Sequence, residues 1–367
     1  MQQALLNGLK PNYDAAVFGK GPAACIFAIR MARCGGTVLL VPPLTKSSPK
    51  PWGETLAPRG EFLLAQLGLV DQCLAGQHVT QTTLSCWLTP RLDKADLAFD
   101  PHGRMWHLNR PTFDHALLAH AVHSGAHILD RNSRRVSGIS RQAGHWQITL
   151  ASSNGEHTIQ VEHLVDATGR SHSLARAMGA TRILRDPLIA LFCITEELGP
   201  DISPLLIEPV SQGWWYSLGL PQGQFLAAFI TDPKLLKLSA ETRQSVWDAM
   251  LDDAPYTRNR ISASTNMLNV VSAESARLDQ MSGEGWLAIG DAAMSFDPLS
   301  SHGLCSAIEQ AMHAAEILLT RGEEAALSEF EAKRKHLFGK YTAQRRAFYR
   351  SVQRFSGYPF WQNRMLC

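Results

Sequence analysis

The sequence predicts an α/β fold in which a parallel-sheet domain is interleaved with a second, mostly antiparallel β-sheet domain and followed by C-terminal helices. Three observations support this prediction. A strand–glycine turn–helix–strand unit opens the chain at 13–41, a second strand–turn–helix stretch lies at 286–308, and the region between about 190 and 283 is rich in short apolar strands. Because parallel strands need long crossovers and antiparallel strands do not, the two patterns indicate two kinds of sheet.

The composition is that of a globular protein of one or two domains. Hydrophobic residues make up 45% of the 367 residues and charged residues 19%, which excludes an intrinsically disordered chain. The N-terminus lacks the basic start and apolar region of a signal peptide, and no segment approaches the ~20 apolar residues of a membrane span. We therefore expect a cytoplasmic protein without a membrane partner.

Cysteine and histidine spacing gives no sign of a metal site. The seven cysteines and fourteen histidines are dispersed, without CxxC or HExxH spacing, so we predict no metal and reduced thiols.

Charge is distributed unevenly along the chain. Residues 332–367 contain nine Lys or Arg and no Asp or Glu, which leaves residues 1–331 with a net charge of −7, against +2 for the whole chain. This basic end alone does not indicate nucleic-acid binding, and none is predicted.

The N-terminal unit carries a dinucleotide-binding fingerprint. The apolar strand 13–19 runs into the turn GKGPAA at 19–24, and a helix to about Arg33 and the strand 37–41 follow. In such a turn the first glycine permits the tight bend, the second lets the backbone approach a pyrophosphate, and the phosphates lie at the helix N-terminus. The candidate binding residues are Gly19, Gly21, Pro22, Ala23 and Ala24. The acid that would bind a ribose hydroxyl falls at Pro42 and Pro43, so the adenosine end must be held differently.

Strands and helices alternate through the middle of the chain. Residues 77–107 show strand-like alternation, and a helix opens at Arg110 with apolar positions at helical spacing. Residues 145–151 and 157–162 predict a hairpin, and the strand after it runs into a turn at 166–170, whose small residues let the backbone pass close to a ligand. Further helices are predicted near 240–251, after Gly303 and after Gly322.

The stretch 286–308 combines a hydrogen-bond acceptor with a set of donors. Asp291 follows an apolar strand, and its carboxylate can accept hydrogen bonds from a polyol or ribityl hydroxyl. The loop 297–303 leads into an apolar helix, and the amides of Leu304 and its neighbours lie at the helix start, where unpaired N–H groups favour negative charge. A flavin needs an acceptor for its sugar chain and donors for the electron-rich edge of its reduced ring. An ordinary strand–turn–helix with an Asp cap is the alternative.

Four motifs occur in a recognisable order: GKGPAA at 19–24, RPTFD at 110–114, DATGR at 166–170 and GDAAMSFDPLSSHG at 290–303. Together they resemble the FAD-dependent monooxygenases of the p-hydroxybenzoate hydroxylase class and their halogenase-like relatives. The resemblance implies a Rossmann-like FAD-binding domain with FAD as cofactor. It also implies that Arg110 contacts the cofactor and that Gly290 and Asp291 hold the ribityl chain. The residues implied to line the isoalloxazine are Pro298, Ser300, Gly303 and Leu304, in a loop where Ser301-His302 replaces the more usual Gly-Gln.

The same resemblance implies that the chain passes between two domains more than once. We expect the FAD-binding domain to take 1–75, 108–188 and 284–330, and the substrate domain to take 76–107 and 189–283. A basic, aromatic helical segment is expected to take 331–367.

The C-terminal aromatic residues resemble a narrower group, the maturation flavoproteins that oxygenate a tryptophan of a partner protein during formation of cysteine tryptophylquinone, such as glycine-oxidase and lysine-oxidase maturases. The resemblance rests on aromatic spacing between Tyr341 and Trp361 and on WWYSL at 214–218. It implies a protein substrate, a basic C-terminus available to dock an acidic surface, O₂, and an unidentified reductant. A C-terminal helix that packs its aromatic residues on the FAD domain, with a solvated basic face, would explain the same residues.

Halogenation is disfavoured, because no lysine lies between Arg59 and Leu88 and the segment 214–219 matches only the first tryptophan of the halogenase pattern Trp-x-Trp-x-Ile-Pro. Two alternatives to the maturation function remain open. One is FAD-dependent hydroxylation of a free small aromatic compound. The other is a flavin-containing partner that binds a precursor without oxygenating it.

Three residues are candidates for a role in catalysis. In oxygen insertion the flavin supplies the chemistry, and the protein binds, orients and excludes water. Trp214 and Tyr216 are candidates for the wall of a dry pocket, although aromatic clusters on strands are commonly core. His302 is a candidate proton relay in the loop facing the ring, unless it only hydrogen-bonds the backbone.

Overall fold

The computed structural model describes residues 9–43, 55–97, 100–131, 134–153, 155–196, 199, 203–236, 240–261, 268–320 and 324–366, and in these residues the strands form four sheets. The strands are β1 (Asn12–Phe18), β2 (Val38–Val41), β3 (Thr55–Leu56), β4 (His78–Thr80), β5 (Thr82–Ser85), β6 (Asp93–Asp96), β7 (Met105–His107), β8 (His127–Ile128), β9 (Arg134–Gln142), β10 (His145–Ser152), β11 (Gly155–Asp166), β12 (Arg182–Asp186), β13 (Ile189–Glu196), β14 (Leu205–Val210), β15 (Gly213–Leu220), β16 (Gln224–Thr231), β17 (Asn269–Ser272), β18 (Ser275–Leu278), β19 (Ser282–Gly283), β20 (Trp286–Ala288) and β21 (Met294–Ser295). The α-helices are α1 (Pro22–Arg33), α2 (Pro58–Gln66), α3 (Val70–Leu74), α4 (Arg110–His123), α5 (Ser173–Ala177), α6 (Ala240–Asp252), α7 (Pro255–Arg258), α8 (Gly303–Leu319), α9 (Glu324–Arg350) and α10 (Pro359–Leu366).

The first sheet has a parallel centre, in the order β20-β11-β1-β2-β8. Its register places Phe18 beside both Asp166 and Val41, and Asp166 beside Ala288. The strand ends that precede Gly19, Ala167 and Gly290 therefore meet at one edge of the sheet. The carboxyl edge of a parallel sheet is where ligands of such folds bind.

Local sequence explains where the flanking helices begin. Pro22 occupies the first turn of α1, where its missing N–H costs nothing. The side chain of Asn109 caps α4 by accepting a hydrogen bond from the amide of Thr112 at 3.2 Å. Helices α1, α4 and α8 contribute to one buried apolar cluster on this sheet, as their helical spacing of apolar residues predicts.

The second large sheet is mostly antiparallel, in the order β17-β13-β16-β15-β14-β5-β6. Strands β5 and β6 come from the segment 76–107 and join strands from 189–272, although about 90 residues of other structure separate them. The central strands β15 and β16 of this sheet are buried on both faces. Trp214 and Tyr216 pack in one apolar cluster, whereas Trp215 packs on the opposite face against Trp247, with ring centroids 4.6 Å apart. The boundaries predicted for the domains stay a prediction.

The C-terminal helices cover the antiparallel sheet as well as the parallel one. Phe338 and Tyr341 pack with the parallel sheet, but Tyr349, Phe360 and Trp361 lie in the cluster of Trp214. The interpretation that this segment packs its aromatic residues on the parallel-sheet side agrees with Phe338 and Tyr341, whereas the other three aromatic residues pack on the antiparallel sheet. No helix among the described residues has the length and apolar character of a bilayer span.

Candidate cofactor site and its surroundings

The first glycine turn lies in contact with the turn after β11. Gly19 has φ +142°, and a Cβ built on it would lie 2.3 Å from the carbonyl oxygen of Ala167. Only glycine fits this approach. Gly21, at the N-cap of α1, has φ −80°, and a Cβ there would have no neighbour within 4 Å. Because no side chain caps α1, the amides of Ala23 and Ala24 at its start are available to an anion.

Asp166 fixes the shape of the 166–170 turn. Its buried carboxylate accepts hydrogen bonds from the amide of Thr168 at 2.9 Å, from the hydroxyl of Thr168 at 2.7 Å and from the amide of Ala175 at 2.7 Å. Arg170 extends from this turn, and its Nη1 donates to the carbonyl of Glu274 at 2.8 Å. The turn is thus rigid on the side that faces Gly19.

Asp291 lies close to the glycine turn and the start of α1, although it is 270 positions from Gly21 in the sequence. Gly290 has φ +61°, and a Cβ on it would lie 2.9 Å from Cβ of Ala23 in α1. The amide of Gly290 donates to Oε1 of Gln310 at 3.2 Å. The carboxylate of Asp291 is 36% exposed and lies 3.4 Å from Nε of Arg170. An acceptor is therefore held near the uncapped start of α1.

Arg110 begins α4 and forms an ion pair with Asp114, one turn later, at 3.1 Å. Burial, with the nearby carboxylate of Asp114, raises the pKa of the Cys25 thiol to about 12. Helices α1 and α4 pack in the same buried apolar cluster, so the Arg110–Asp114 pair lies on a helix that packs against α1. Sequence reasoning singled out Arg110 but not its partner.

Hydrogen bonds between the side chains and the backbone of the loop before α8 help to hold that loop. Asp297 Oδ1 accepts from the amide of Leu299 at 3.0 Å, and Ser300 Oγ donates to the carbonyl of Asp297 at 2.8 Å. Pro298 and Ser300 lie in the same turn of 3₁₀ helix. Ser301 follows with φ +49°, a left-handed conformation that favours glycine. This explains in physical terms why Gly is more usual here in the class that the sequence resembles.

His302 is exposed, and its Nδ1 hydrogen-bonds the carbonyl of Ser300. This contact matches the interpretation in which the ring bonds only the backbone. No side chain caps α8, so the amides at its start, including that of Leu304, are available to a ligand.

Asp297 joins this loop to the C-terminal helix α9. Its Oδ2 accepts from the hydroxyl of Tyr349 at 2.8 Å and from Nε of Arg345 at 2.8 Å. Its backbone amide donates to the hydroxyl of Tyr341 at 2.7 Å. Complete burial raises the pKa of Asp297 to about 6, and the hydrogen bonds from Leu299 and Tyr349 oppose that rise. Sequence reasoning missed Arg345 and treated Tyr341 and Tyr349 only as aromatic spacing.

Trp214 and Tyr216 are core residues, 0% and 2% exposed. Trp214 Nε1 donates to the hydroxyl of Tyr349 at 3.0 Å, and the hydroxyl of Tyr216 lies 2.8 Å from Oγ1 of Thr55. Trp214 thus reaches the loop through Tyr349 and Asp297. That these two residues line a substrate pocket stays a prediction.

The residues present fit an FAD. One edge of the parallel sheet is surrounded by groups that suit this cofactor. They are two helix N-termini without side-chain caps, a glycine turn that is open at Gly21, and the partly exposed carboxylate of Asp291. Backbone amides suit the pyrophosphate and the electron-rich ring edge, and a carboxylate suits the ribityl hydroxyls. The assignment of each residue to a part of the cofactor stays a prediction.

The fold and the site define an FAD-dependent flavoprotein of the Rossmann-like, two-sheet class. The chain belongs to the FAD binding domain family, whose model matches residues 12–356. The predictions of the fold class, of FAD as cofactor and of an FAD-dependent oxidoreductase are confirmed.

Three similar proteins illustrate the class. LodB of Marinomonas mediterranea, an FAD-dependent oxidoreductase by name, is 26% identical over 371 residues, which covers 96% of this chain and 97% of LodB. The myxobacterial chondrochloren halogenase CndH superposes with a TM-score of 0.85 at 21% identity, over 97% of this chain and 86% of that one. The peptidyl tryptophan dihydroxylase QhpG superposes with a TM-score of 0.75 at 24% identity, over 96% and 79%.

Proposed function

We propose that this flavoprotein oxygenates a tryptophan of a partner protein during the formation of cysteine tryptophylquinone. The observation that carries the proposal is the likeness to QhpG over 96% of this chain, because QhpG is a peptidyl tryptophan dihydroxylase essential for tryptophylquinone cofactor biogenesis. The C-terminal aromatic segment supports it, since Tyr349 connects the antiparallel sheet to the loop before α8. The likeness to the halogenase CndH is of similar extent, so the test below includes halogenation as an alternative outcome.

In this proposal, different residues would hold the different parts of FAD. The turn of Gly19 and Gly21, with the start of α1, would bind the pyrophosphate, and Asp291 would accept hydrogen bonds from the ribityl chain. The isoalloxazine would lie against the loop of Pro298 and Ser300 and the amides of Gly303 and Leu304. When bound, FAD supplies the activation of O₂. The domain division predicted above would place the partner's tryptophan between the two large sheets.

The reaction balances with one external reductant. For each hydroxylation one oxygen atom of O₂ enters a C–H bond of the indole ring, and the other leaves as water with two electrons and two protons from the reductant. The chain's own part is to orient the indole and exclude water. Trp214 and Tyr216 would supply apolar wall, and Asp297 would hold the loop through Tyr349 and Arg345.

Mass spectrometry of a partner protein tests the proposal. The FAD-loaded protein is reduced with dithionite, mixed with the unmodified precursor of a tryptophylquinone enzyme, and exposed to O₂. We expect the mass of one or two oxygen atoms on a single tryptophan-containing peptide, and none on a precursor in which that tryptophan is Phe.

Other results would favour the alternatives. Oxygenation of free indole or phenols, with an unchanged precursor, would instead support a small-molecule hydroxylase. A stable complex with the precursor that leaves it unmodified would support a binding partner without oxygenase activity. A chlorinated or brominated product in the presence of halide would show a halogenase.

A further inference from the structure

The end of β2 offers nothing to the adenosine half of a dinucleotide. The strand is followed by Pro42 and Pro43, which supply neither a polar side chain nor a backbone N–H. In the dinucleotide-binding fingerprint this position carries the acid that binds the adenosine ribose. The adenosine must therefore be held by a group that comes from another part of the same sheet edge.

Strand β8 brings charged residues to that place. It runs parallel to β2, and the amide of Leu129 donates to the carbonyl of Leu40 at 2.8 Å. This register brings Asp130 level with Pro42, and Arg131 follows at the carboxyl edge of the sheet. Because neighbouring strands are ~4.8 Å apart, the backbone of β8 ends about one strand spacing from the position of the missing acid.

The guanidinium of Arg131 has donors that the described part of the chain does not satisfy. Its Nε and Nη1 are buried, and neither has a hydrogen-bond partner among the described residues. The side chain therefore lies against the protein and does not extend into solvent. Burial lowers the pKa of Arg131. Because a buried donor without an acceptor costs free energy, and a charged donor costs more, a ligand that supplies acceptors here would stabilise the folded chain.

Other buried or half-buried arginines have partners within the protein. Arg170, at the same edge of the sheet, lies 3.4 Å from the carboxylate of Asp291. The Nε and Nη1 atoms of Arg334 also lack hydrogen bonds among the described residues, but its guanidinium lies 4.0 Å from the ring centroid of Phe330 in the same helix. Arg131 differs from both, because it places unsatisfied donors at the edge where ligands of this fold bind.

We propose that Arg131 binds the adenosine half of FAD, in place of the acid that the fingerprint has after its second strand. Ribose oxygens and adenine ring nitrogens are acceptors, and the planar fork of a guanidinium both donates to neighbouring acceptors and stacks on flat rings. Asp130 is exposed and so is solvated without a ligand, whereas the buried donors of Arg131 are not. The proposal depends on FAD as the cofactor and not on which substrate is oxygenated.

Competition between FAD and FMN tests the proposal, because FMN has the isoalloxazine, the ribityl chain and one phosphate but no adenosine. The FAD-loaded full-length protein is equilibrated with mixtures of FAD and FMN, free flavin is removed by gel filtration, and the two bound flavins are quantified by chromatography. Arg131→Gln is expected to shift the preference toward FMN at least about tenfold. Arg135→Gln is the matched control, because Arg135 is exposed on β9 four residues later, and it is expected to shift the preference less than about twofold.

Two further measurements separate adenosine binding from folding and from simple charge attraction. On dilution of the FAD-loaded protein, Arg131→Gln should release half of its FAD at a protein concentration at least about tenfold higher than the unchanged protein does. The free energy of unfolding of the flavin-free variant should not fall, because Nε and Nη1 of Arg131 bond no described residue. Arg131→Lys keeps the charge but lacks the planar fork, so it should also shift the preference toward FMN.

Several results would overturn this role of Arg131. An unchanged preference in Arg131→Gln, or equal weakening of both flavins together with lower stability, would show that the residue does not contact adenosine. Full preference for FAD in Arg131→Lys would indicate attraction of a charge to the pyrophosphate. A shift caused by Asp130→Asn but not by Arg131→Gln would assign the adenosine to the neighbouring acid.

The outcomes for Arg131 and for the proposed function are distinguishable. Oxygenation of the precursor by the unchanged protein, with an unchanged flavin preference in Arg131→Gln, would refute the role of Arg131 and leave the proposed function standing. A shifted preference in a protein that oxygenates no precursor would refute the function and leave the role of Arg131 standing.

Discussion

The hydroxyl of Tyr349 donates a hydrogen bond to Oδ2 of Asp297 over 2.8 Å and accepts one from Nε1 of Trp214 over 3.0 Å. One phenol thus joins the loop before the late helix to the antiparallel sheet, with all three side chains buried. Because unsatisfied polar groups are costly in the interior, this arrangement is expected to keep the loop in one conformation.

Removing that hydroxyl should destabilise the protein. Tyr349→Phe leaves the indole N–H of Trp214 without its acceptor and removes one donor from Asp297, which costs about 1–3 kcal/mol. The measurement is the free energy of unfolding by denaturant. Tyr358→Phe is the matched control, because Tyr358 is 43% exposed, and should change it by less than ~0.5 kcal/mol. Equal stability of both variants would contradict a structural role for the phenol.

Gly21→Ala separates cofactor binding from folding. A Cβ at Gly21 has nothing within 4 Å in the protein itself, so stability without FAD should not fall. If the pyrophosphate approaches this backbone, the added methyl group should weaken FAD binding at least about tenfold, which equals ~1.4 kcal/mol. The affinity for FAD is measured by titrating the apoprotein with FAD and following flavin fluorescence. Gly19→Ala should instead unfold the protein, because its Cβ would lie 2.3 Å from a carbonyl oxygen. Unchanged FAD affinity in Gly21→Ala would refute the assigned position of the pyrophosphate.

Asp291→Asn should lower FAD retention. A carboxylate that accepts hydrogen bonds from ribityl hydroxyls contributes about 1.5–3 kcal/mol, so the affinity should fall about tenfold or more. Flavin absorbance per protein after gel filtration gives the retained fraction. Asp252→Asn is the control, since the Asp252 side chain is 66% exposed and pairs with Arg258, and it should keep its flavin. Full retention by Asp291→Asn would show that this carboxylate does not hold the sugar chain.

The buried imidazole of His107 should make the protein less stable in acid. Burial lowers the pKa of His107 to about 3, and its Nδ1 lies 2.9 Å from the carbonyl of Gly219. The unfolded chain takes up a proton at this residue near pH 6.5, and the folded chain does so only near pH 3. Between these values the unfolded state binds more protons, so the contribution of His107 is fully present above about pH 6.5. It is lost as the pH falls, by up to ~1.4 kcal/mol per pH unit.

His107→Gln should flatten this dependence between about pH 6.5 and 4.5, measured as the free energy of unfolding against pH. His115→Gln, at an exposed position of α4, should leave the slope unchanged. A slope of the same size in both variants would show that other groups set the acid stability.

Local sequence determined much of this protein. The glycine turn at 19–24, the helix that opens at Arg110 and the start of α8 at Gly303 could all be predicted, because they depend on backbone conformation and on neighbours a few residues away. The cofactor class followed from four such motifs in order. Strand β9 was missed, since its polar sequence, RRVSGISRQ, carries little apolar alternation.

Only the tertiary structure decided what happens to the basic C-terminus. The sequence presents its nine cations as equivalent, whereas the fold buries Arg364 against Asp186 and Arg345 against Asp297 and leaves Lys340 outside. These pairings join residues 48 to 178 positions apart. No local pattern encodes them, because the cost of burying a charge depends on which distant group the folded chain brings to it.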